Sequence, residues 1–488
     1  MTRRTWVRLD NASNIFLAAR TDADPKVFRL SAETDHPVDP QLLQEALDTT
    51  FDRYPLYHAV LRRGVFWYYL QDSDLRPLVT TEDQYTCAPV YQVDRRNLLF
   101  RVMHHHRRIV LEVFHALSDG TGALWFLSDL VVAYHRLRYP GQERPVRDGI
   151  GTGGARPDPG PVPGRADAGA QRGGHGAGRT HELGADSFRH YFLRRRPHAG
   201  PAAGSAFRRE AVPAALTVED HPRSPGNAPR DIRRGHRRPR KKVYRVVGTR
   251  TPDNRTRAVE LTMPAHGVLA LARAEGVSLT MYLIALFFES VRLSSGGLGT
   301  ARTLTASVPV NLRQFFPSTS ARNFFTTVRV EHTYGEGPDD LGSISRSLEA
   351  QFRPKATPEA LERKLRRFLR FERMPLLRIL PRPVKDLILK LVNRGNNRGL
   401  TVAASNLGRV SLPEPAASHV GRLLFHVSAV RPQFCSISHA GLLTVTFTSP
   451  FTETGHVSQF ARLLTTRGIG MTVAAARVTE EELAEGEA

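Results

Sequence analysis

The chain of 488 residues contains only two cysteines and no long apolar run. Cys87 and Cys435 are too few for a disulfide framework, and neither belongs to a CxxC or His-Cys pattern that would indicate zinc. The sequence therefore predicts no metal site, and a reducing cytoplasm is the default location. The longest apolar run, residues 281–288, is far below the roughly 18 to 20 residues that a bilayer span requires, so no transmembrane segment is expected.

Several familiar motifs are also missing from the sequence. Arg8 and Asp10 interrupt the apolar core that a signal peptide would need, so secretion by that route is not expected. There is no GxxxxGK loop and no GxGxxG after a strand, which leaves nucleotide binding by those folds unsupported. Ser118 does not lie in a GxSxG nucleophile motif. The run 104–106 consists of three histidines, and because adjacent residues point in different directions it predicts a hairpin turn rather than a metal site.

Lysine is scarce although the chain is strongly basic, with a formal net charge of +22. Only 7 of the 69 basic residues are lysine, a skew that is typical of a GC-rich gene and does not indicate phosphate binding. Half of the net charge lies in residues 151–242, which contain 19 basic and 8 acidic residues. Because the charge is concentrated in this way, we expect no nucleic-acid partner.

The same segment has the composition of low-complexity sequence. Its 15 glycines and 11 prolines make up 28% of residues 151–242. Three interpretations remain open: a natural linker, a stretch of a GC-rich gene read in the wrong frame, or a dedicated basic binding segment. An aromatic island at residues 185–192 is compatible with either local order or none.

The composition therefore divides the chain into four parts. We predict an N-terminal domain at residues 1–148, the low-complexity segment at 149–241, a C-terminal domain at 242–478 and an acidic tail at 479–488. Hydrophobic periodicity predicts alternating strands and helices in the C-terminal domain. The expected strands are 242–247, 258–263, 303–310, 324–330, 400–404, 420–430 and 442–447, and the expected helices lie around 268–272, from Ser278, and at 361–379, 384–392 and 457–464.

His115 is the residue whose sequence context points most directly to chemistry. It follows the apolar run 108–114, which predicts a buried strand, and apolar residues recur at helical spacing after Gly120. A neutral imidazole at a strand end can accept a proton near neutral pH if its tautomer is fixed. Asp119 could hold the backbone or pair with a cation, and Gly120 could let the chain turn into the helix. By spacing alone, a loop histidine followed by an N-cap aspartate explains the pattern equally well.

Four segments, taken in order, resemble the markers of one superfamily. Residues 115–120 match an HxxxDG signature, and residues 53–59 are similar to the RHxxLR segment of condensation domains. Residues 307–313, followed by 322–325, resemble a "vpvnlR…gNf" region, and residues 405–408 resemble an SNxG strand end. This combination resembles the superfamily of chloramphenicol acetyltransferase, non-ribosomal peptide condensation domains and alcohol acetyltransferases.

The resemblance implies an α/β fold and a reaction. The fold would consist of two chloramphenicol-acetyltransferase-like lobes, each a mixed sheet with helices, with an active-site tunnel between them in a monomeric protein. His115 would take the proton from an acceptor alcohol or amine as it attacks the thioester of acyl-CoA, without a covalent enzyme intermediate. Acyl-CoA is then a co-substrate, the transferred group is expected to be acetyl, and no bound cofactor is expected.

The resemblance also assigns roles to other residues. Asp119 would be architectural and face a basic side chain. His58 stands where condensation domains carry an arginine, which leaves Arg313 as the alternative partner for Asp119. Phe114 replaces the first histidine of the condensation "HHxxxDG" motif, a difference that favours the acetyltransferase branch. The remaining motif positions are Gly120 and Asn323, with Ser405, Asn406 and Gly408 as either a channel-lining strand end or a plain turn.

Two other functions are compatible with the sequence. One is a free-standing condensation-type enzyme that takes its acyl group from an acyl carrier protein. The other is an inactive homologue in which the low-complexity segment has replaced elements that join the lobes.

Overall fold

The computed structural model describes residues 5–9, 11–93, 95–141, 187–192, 242–372 and 380–484. The helices in these ranges are α1 Asn11–Ala19, α2 Pro40–Asp52, α3 Gly120–Arg138, α4 Ser187–Phe192, α5 Ala265–Ala274, α6 Leu279–Ser294, α7 Leu341–Phe352, α8 Pro358–Glu372, α9 Arg382–Arg398, α10 Ala416–His419, α11 Gly455–Thr465 and α12 Glu480–Ala484. The strands are β1 Trp6–Arg8, β2 Val27–Thr34, β3 Ala59–Arg63, β4 Tyr68–Asp72, β5 Val79–Thr81, β6 Phe100–His105, β7 Arg108–Phe114, β8 Arg257–Pro264, β9 Thr303–Asn311, β10 Phe325–Thr333, β11 Val402–Arg409, β12 Val420–Val427, β13 Gln433–His439, β14 Leu442–Ser449 and β15 Thr472–Ala475.

These strands form three sheets, and the two larger ones contain both parallel and antiparallel pairs. The first sheet has the order β12-β2-β7-β6-β5, and the second has the order β10-β9-β11-β13-β14-β8-β15. A small third sheet, β1-β4-β3, lies in the N-terminal part. The α/β class with mixed sheets and helices, predicted from the sequence, is therefore confirmed.

One strand of the C-terminal part belongs to the N-terminal sheet. β12 pairs antiparallel with β2, from Val420 opposite Thr34 to Val427 opposite Phe28. Its buried side chains, such as Leu423 and Phe425, join the first hydrophobic core. The described residues of 1–193 and 242–488 accordingly form one compact unit. The domain boundaries predicted from composition stay predictions.

Local sequence signals explain how the elements that carry the first core begin and end. Asp39 caps α2 by accepting hydrogen bonds from the backbone N–H groups of Gln41 and Leu42, and Pro40 occupies the first turn. The turn between β6 and β7 contains His106 at a φ of 48°, so the histidine run ends in a hairpin turn as predicted. α2 and α3 then pack together over the first sheet.

The C-terminal part differs from the sequence prediction at several elements. The helices α7 and α10 and the strand β15 were not predicted. Residues 242–247 form no strand; only an isolated bridge joins Val243 to Thr303. Strand β13 was not predicted, because its polar residues hide the alternation. It forms an antiparallel hairpin with β14. The helix expected at 361–379 begins earlier, at Pro358, and its predicted end lies outside the described residues.

Residues 187–192 of the aromatic island are the described portion of the low-complexity segment. They form α4, in which Phe188 lies 5.1 Å from Phe324 and Phe192 lies 5.0 Å from Phe316, measured between ring centroids. Ser187 Oγ lies 2.5 Å from Ser318 Oγ. Phe192 is part of the second core, and Phe188 and Tyr191 pack against it. The rest of 149–241, and with it the choice among the three interpretations, lies outside the described residues.

A search of the described ranges for membrane-spanning helices returned no single candidate that is both long and apolar enough. One bent pair, α5 with α6 at 87°, passes the same length and composition criteria.

A buried charged network joins the two large sheets. Glu260 of β8 accepts hydrogen bonds of 2.8 and 2.9 Å from Arg108 of β7. His426 of β12 lies 3.4 Å from the same carboxylate, and Arg422 bridges to Glu33 of β2 at 2.8 Å. Burial alone would raise the pKa of Glu260, but the hydrogen bonds and charges of His426 and Arg108 outweigh it and lower the pKa to about 2.

We expect Glu260→Gln to destabilise the fold by about 1.5 to 3 kcal/mol, because the partly exposed Arg108 keeps Glu33 but loses its second carboxylate partner. Since the folded-state pKa is depressed, the contribution of Glu260 is present above its unfolded pKa and is lost as the pH falls towards about 2. Urea unfolding between neutral pH and pH 3 checks both effects, and the variant should lose part of the acid dependence. Glu362→Gln, which breaks the exposed pair with Arg366, is the control and should change stability by less than about 1 kcal/mol. Equal effects of the two substitutions would contradict a role for this network.

Candidate active site

The backbone of His115 is held from both sides at the end of β7. Its N–H donates to the carbonyl oxygen of Lys26 at 2.8 Å. Its own carbonyl oxygen accepts a 2.8 Å hydrogen bond from Asn323 Nδ2, which also contacts Ser13 Oγ at 2.8 Å. Residues from the N-terminal helix, the first sheet and the loop before β10 therefore fix the position of this histidine.

Three phenylalanine rings surround the imidazole of His115. Phe16 of α1 stacks on it at 3.8 Å with an interplanar angle of 11°. Phe28 of β2 and Phe325 of β10 approach at 5.1 and 5.7 Å. Of these three partners, only Phe325 lies in a segment that the resemblance marked, residues 322–325. Phe16 and Phe28 lie outside all of the marked segments.

This apolar environment keeps the imidazole of His115 neutral. Burial lowers its pKa to about 4, although its own backbone carbonyl and the charge of Asp119 act in the opposite direction. Within the described part of the chain, Nδ1 is buried and has no hydrogen-bond partner. The ring is thus an unprotonated base at neutral pH, as general base catalysis requires.

Asp119 holds together the segments that build the site. Its Oδ1 accepts a 2.8 Å bond from the backbone N–H of Gly122 and so caps α3. Its Oδ2 accepts a 2.8 Å bond from the backbone N–H of Phe324 and forms a 2.7 Å ion pair with Arg313. Both interpretations of Asp119 from the sequence, helix cap and charge partner, describe contacts that this side chain makes.

Arg313 organises the loop that leads back to Asn323. Its guanidinium donates to the carbonyl oxygens of Ser320 and Arg322 at 2.8 and 2.6 Å. It lies 5.2 Å from the ring centroid of Trp125 on α3 and is only 6% exposed. The loop after β9 therefore folds around the guanidinium of Arg313, whose positive charge the carboxylate of Asp119 neutralises.

His58, the other candidate partner of Asp119, lies elsewhere. Its Nε2 is 2.8 Å from the carbonyl oxygen of Phe51, and its ring stacks on Phe51 at 4.0 Å. Among the contacts of the described residues, none joins His58 to Asp119. His58 therefore packs against the end of helix α2.

Two glycines in the first turn of α3 let the helix pack closely against neighbouring segments. Gly120 does not have the positive φ that its sequence role as a flexible turn suggested; instead, a Cβ there would lie 3.1 Å from Leu407 and 3.4 Å from Phe425. Gly122, which the motif does not include, is tighter still. A Cβ at that position would lie closer than 3.0 Å to the carbonyl oxygen of Ala321. Glycine is needed at both positions because a side chain would come too close to neighbouring atoms, and not because the backbone has an unusual conformation.

Ser405, Asn406 and Gly408 lie where β11 bulges away from β13. Asn406 Nδ2 donates to Thr280 Oγ1 at 3.0 Å, and its Oδ1 accepts from the backbone N–H of Gly408, which has a φ of 76°. These bonds lie at the bulge within β11. Of this segment, Leu407 reaches Gly120, whereas no described contact joins the other three residues to His115. A channel-lining role for them stays a prediction.

A group of histidines outside this site surrounds Asp35. The ligand-type atoms of Asp35, His36 and His419 lie within 4.8 Å of one another. Asp35 oxygens lie 2.5 Å from His36 Nδ1 and 2.9 Å from His419 Nδ1. Burial lowers the pKa of His36. The carboxylate and the two imidazoles thus satisfy one another by hydrogen bonding.

We expect Asp119→Asn to lower both stability and activity. The substitution keeps the size of the side chain but leaves Arg313 buried without a counter-charge, which should cost roughly 3 to 5 kcal/mol. Urea unfolding measures this loss. Asp52→Asn, which breaks an exposed pair with Arg76, should cost no more than about 1 kcal/mol and serves as the control. An Asp119→Asn protein that is inactive but as stable as the parent would instead place Asp119 in the chemistry.

Comparisons with known proteins find similarity in structure alone. No family model matches the sequence, and no curated protein does. Polyketide synthase associated protein 5 from Mycobacterium tuberculosis superposes with a TM-score of 0.54 at 13% identity, covering 94% of this chain and 97% of that one.

Two further solved structures share the architecture. The TRI3 trichothecene 15-O-acetyltransferase from Fusarium sporotrichioides has a TM-score of 0.53 at 10% identity, with 95% and 94% of the two chains covered. TRI101 of the same organism, complexed with coenzyme A and T-2, has a TM-score of 0.51 at 9% identity, with 96% and 99% covered. The chain therefore shares the fold of these solved structures.

Proposed function

We propose that this protein is an acyltransferase that moves an acyl group from a CoA thioester to an alcohol or amine, with His115 as the general base. The observation that carries the proposal is the environment of His115: an imidazole anchored at a strand end, enclosed by three phenylalanines and kept neutral by burial. The acetyltransferases that share the fold, one of them complexed with coenzyme A, support the choice of reaction.

The proposed reaction is a proton-coupled substitution at the thioester carbonyl. His115 accepts the proton of the acceptor O–H or N–H as that oxygen or nitrogen forms a bond to the carbonyl carbon. When the tetrahedral intermediate collapses, the C–S bond breaks, and the imidazolium returns the proton to the departing thiolate. The stacked ring of Phe16 and the hydrogen bond from Asn323 hold the base in place and reduce the cost of aligning it.

The residue before His115 supports a CoA donor over a carrier-protein donor. Phe114 is fully buried and stacks on Tyr91 at 5.3 Å, so this position contributes packing where condensation domains carry a polar histidine. A carrier-protein donor remains the second candidate. Thiol release from acetyl-CoA and from an acylated phosphopantetheinyl carrier protein, measured with the same panel of alcohols and amines, distinguishes the two donors.

We expect His115→Ala and His115→Gln to lower turnover by about 100-fold or more, the scale of a lost general base. Glutamine fills more of the space between the phenylalanines, so the glutamine variant should also stay close to the parent in thermal unfolding. His135→Gln is the matched control, because His135 is a buried imidazole on α3 that bonds Val131 and has a pKa of about 4. Turnover close to that of the parent in the His115 variants, with a competent alcohol, would disprove the assignment.

The pH dependence of kcat/KM gives a second test of the base. Because burial lowers the pKa of His115 to about 4, the neutral form persists well below the ordinary value of 6.5. We expect activity to hold between pH 7 and about pH 5 and to fall towards pH 4. The folded state also binds fewer protons than the unfolded state between about pH 6.5 and 4, so the stability of the fold declines as the pH falls. Circular dichroism at each pH is the control, because it shows whether the protein is still folded. An acid limb centred near 6.5 in folded protein would contradict a buried base.

A further inference from the structure

Helix α9 packs against α1, but it presents most of its apolar side chains to solvent. Five of them recur at the i, i+3, i+4, i+7 and i+8 spacing of one helix face and are between 37% and 59% exposed. They are Val384, Leu387, Ile388, Leu391 and Val392. No residue of α9 is buried. A surface helix of a globular protein normally turns such a face inward, and nothing in the described part of the chain covers this one.

The polar side of α9 attaches it to the turn between β3 and β4. Arg382 donates through its guanidinium to the carbonyl oxygen of Gly64 at 3.1 Å, and Tyr68 donates to Asp386 at 2.7 Å. Lys385 lies 3.6 Å from the ring centroid of Trp67. These contacts determine which face of the helix points outward.

The β3–β4 turn extends the same apolar surface. Val65 is 72% exposed and Phe66 is 46% exposed at its tip. The backbone N–H of Arg382 donates to the carbonyl oxygen of Val65, and Lys385 donates to that of Phe66 at 3.2 Å. We call these two residues together with the five apolar residues of α9 the outer patch.

Positive charge borders the outer patch. α9 contains five basic residues and one acidic residue, a net charge of +4. Lys390, Arg394 and Arg398 are exposed and recur every four residues along one side of α9. Each lies three residues after a neighbour on the helix surface, which is Leu387, Leu391 or Gly395. An apolar helix face bordered by lysine and arginine is the pattern of helices that lie in the interface of an anionic membrane.

We propose that the outer patch docks this protein on the surface of an anionic phospholipid bilayer. Its apolar residues enter the boundary between headgroups and acyl chains, while Lys390, Arg394 and Arg398 approach the lipid phosphates. A second copy of the chain fits less well, because a twofold contact would place one +4 helix against another. The proposal stands independently of the acyl transfer reaction.

Flotation of the full chain with vesicles tests the docking directly. We expect binding to vesicles of phosphatidylcholine and phosphatidylglycerol in equal parts, weak binding to pure phosphatidylcholine, and release of the protein at about 0.5 M NaCl as the charges are screened. The double substitution Leu387→Glu and Leu391→Glu should weaken binding by about tenfold or more. Lys390→Glu with Arg394→Glu should abolish the preference for anionic vesicles.

The control variant is Leu293→Glu on α6, which changes a 42% exposed leucine outside the outer patch and should leave vesicle binding unchanged. Thermal unfolding of every variant, compared with the parent, separates lost docking from lost folding. The proposal is overturned if the parent does not float with anionic vesicles, if it binds neutral vesicles equally well, or if the double leucine variant still binds. Sedimentation that shows a dimer broken by the same leucine substitutions, without vesicle binding, would assign the outer patch to a second copy instead.

Discussion

The ion pair between Asp119 and Arg313 is the contact on which the rest of the site depends. It joins the loop after β7, in the first sheet, to the loop after β9, in the second. The same carboxylate caps α3 and accepts the backbone N–H of Phe324. Because Asn323 is the adjacent residue, the position of its amide, and through it the carbonyl group of His115, follows from this one buried carboxylate.

The local elements around His115 could be predicted from the sequence because their signals are local. The apolar run of β7, the cap at Asp39 and the spacing of leucines in α3 each specify a strand or helix without reference to the rest of the chain. Arg313 was also identified as a possible partner of Asp119, but only through resemblance and by the absence of an arginine at His58. The spacing of 194 residues between the two carries no physical signal of contact.

The remaining features depend on packing that a single sequence does not encode in a readable form. β12 has the apolar composition of any buried strand, and nothing in it tells which sheet it joins. β13 was missed because its serines hide the alternation of apolar residues. It is nevertheless a stable strand, because β11 and β14 pair with its backbone on both sides. Gly122 looks like an ordinary helical glycine until the carbonyl group of Ala321 is seen next to it. Phe16 and Phe28 are likewise apolar residues whose role depends on the ring that they enclose.

Because β12 lies in the first sheet, noncovalent contacts hold the two parts of the chain together, and the covalent link between them contributes less. β12, the Asp119–Arg313 pair and the Glu260 network all connect residues before 141 with residues after 242. These contacts set the affinity of one part for the other, whereas the connecting chain sets their effective concentration. The entropy cost of a longer connection grows only with the logarithm of its length. Substitutions and length changes in the intervening sequence should therefore be tolerated in evolution more readily than changes in the few residues that cross between the sheets.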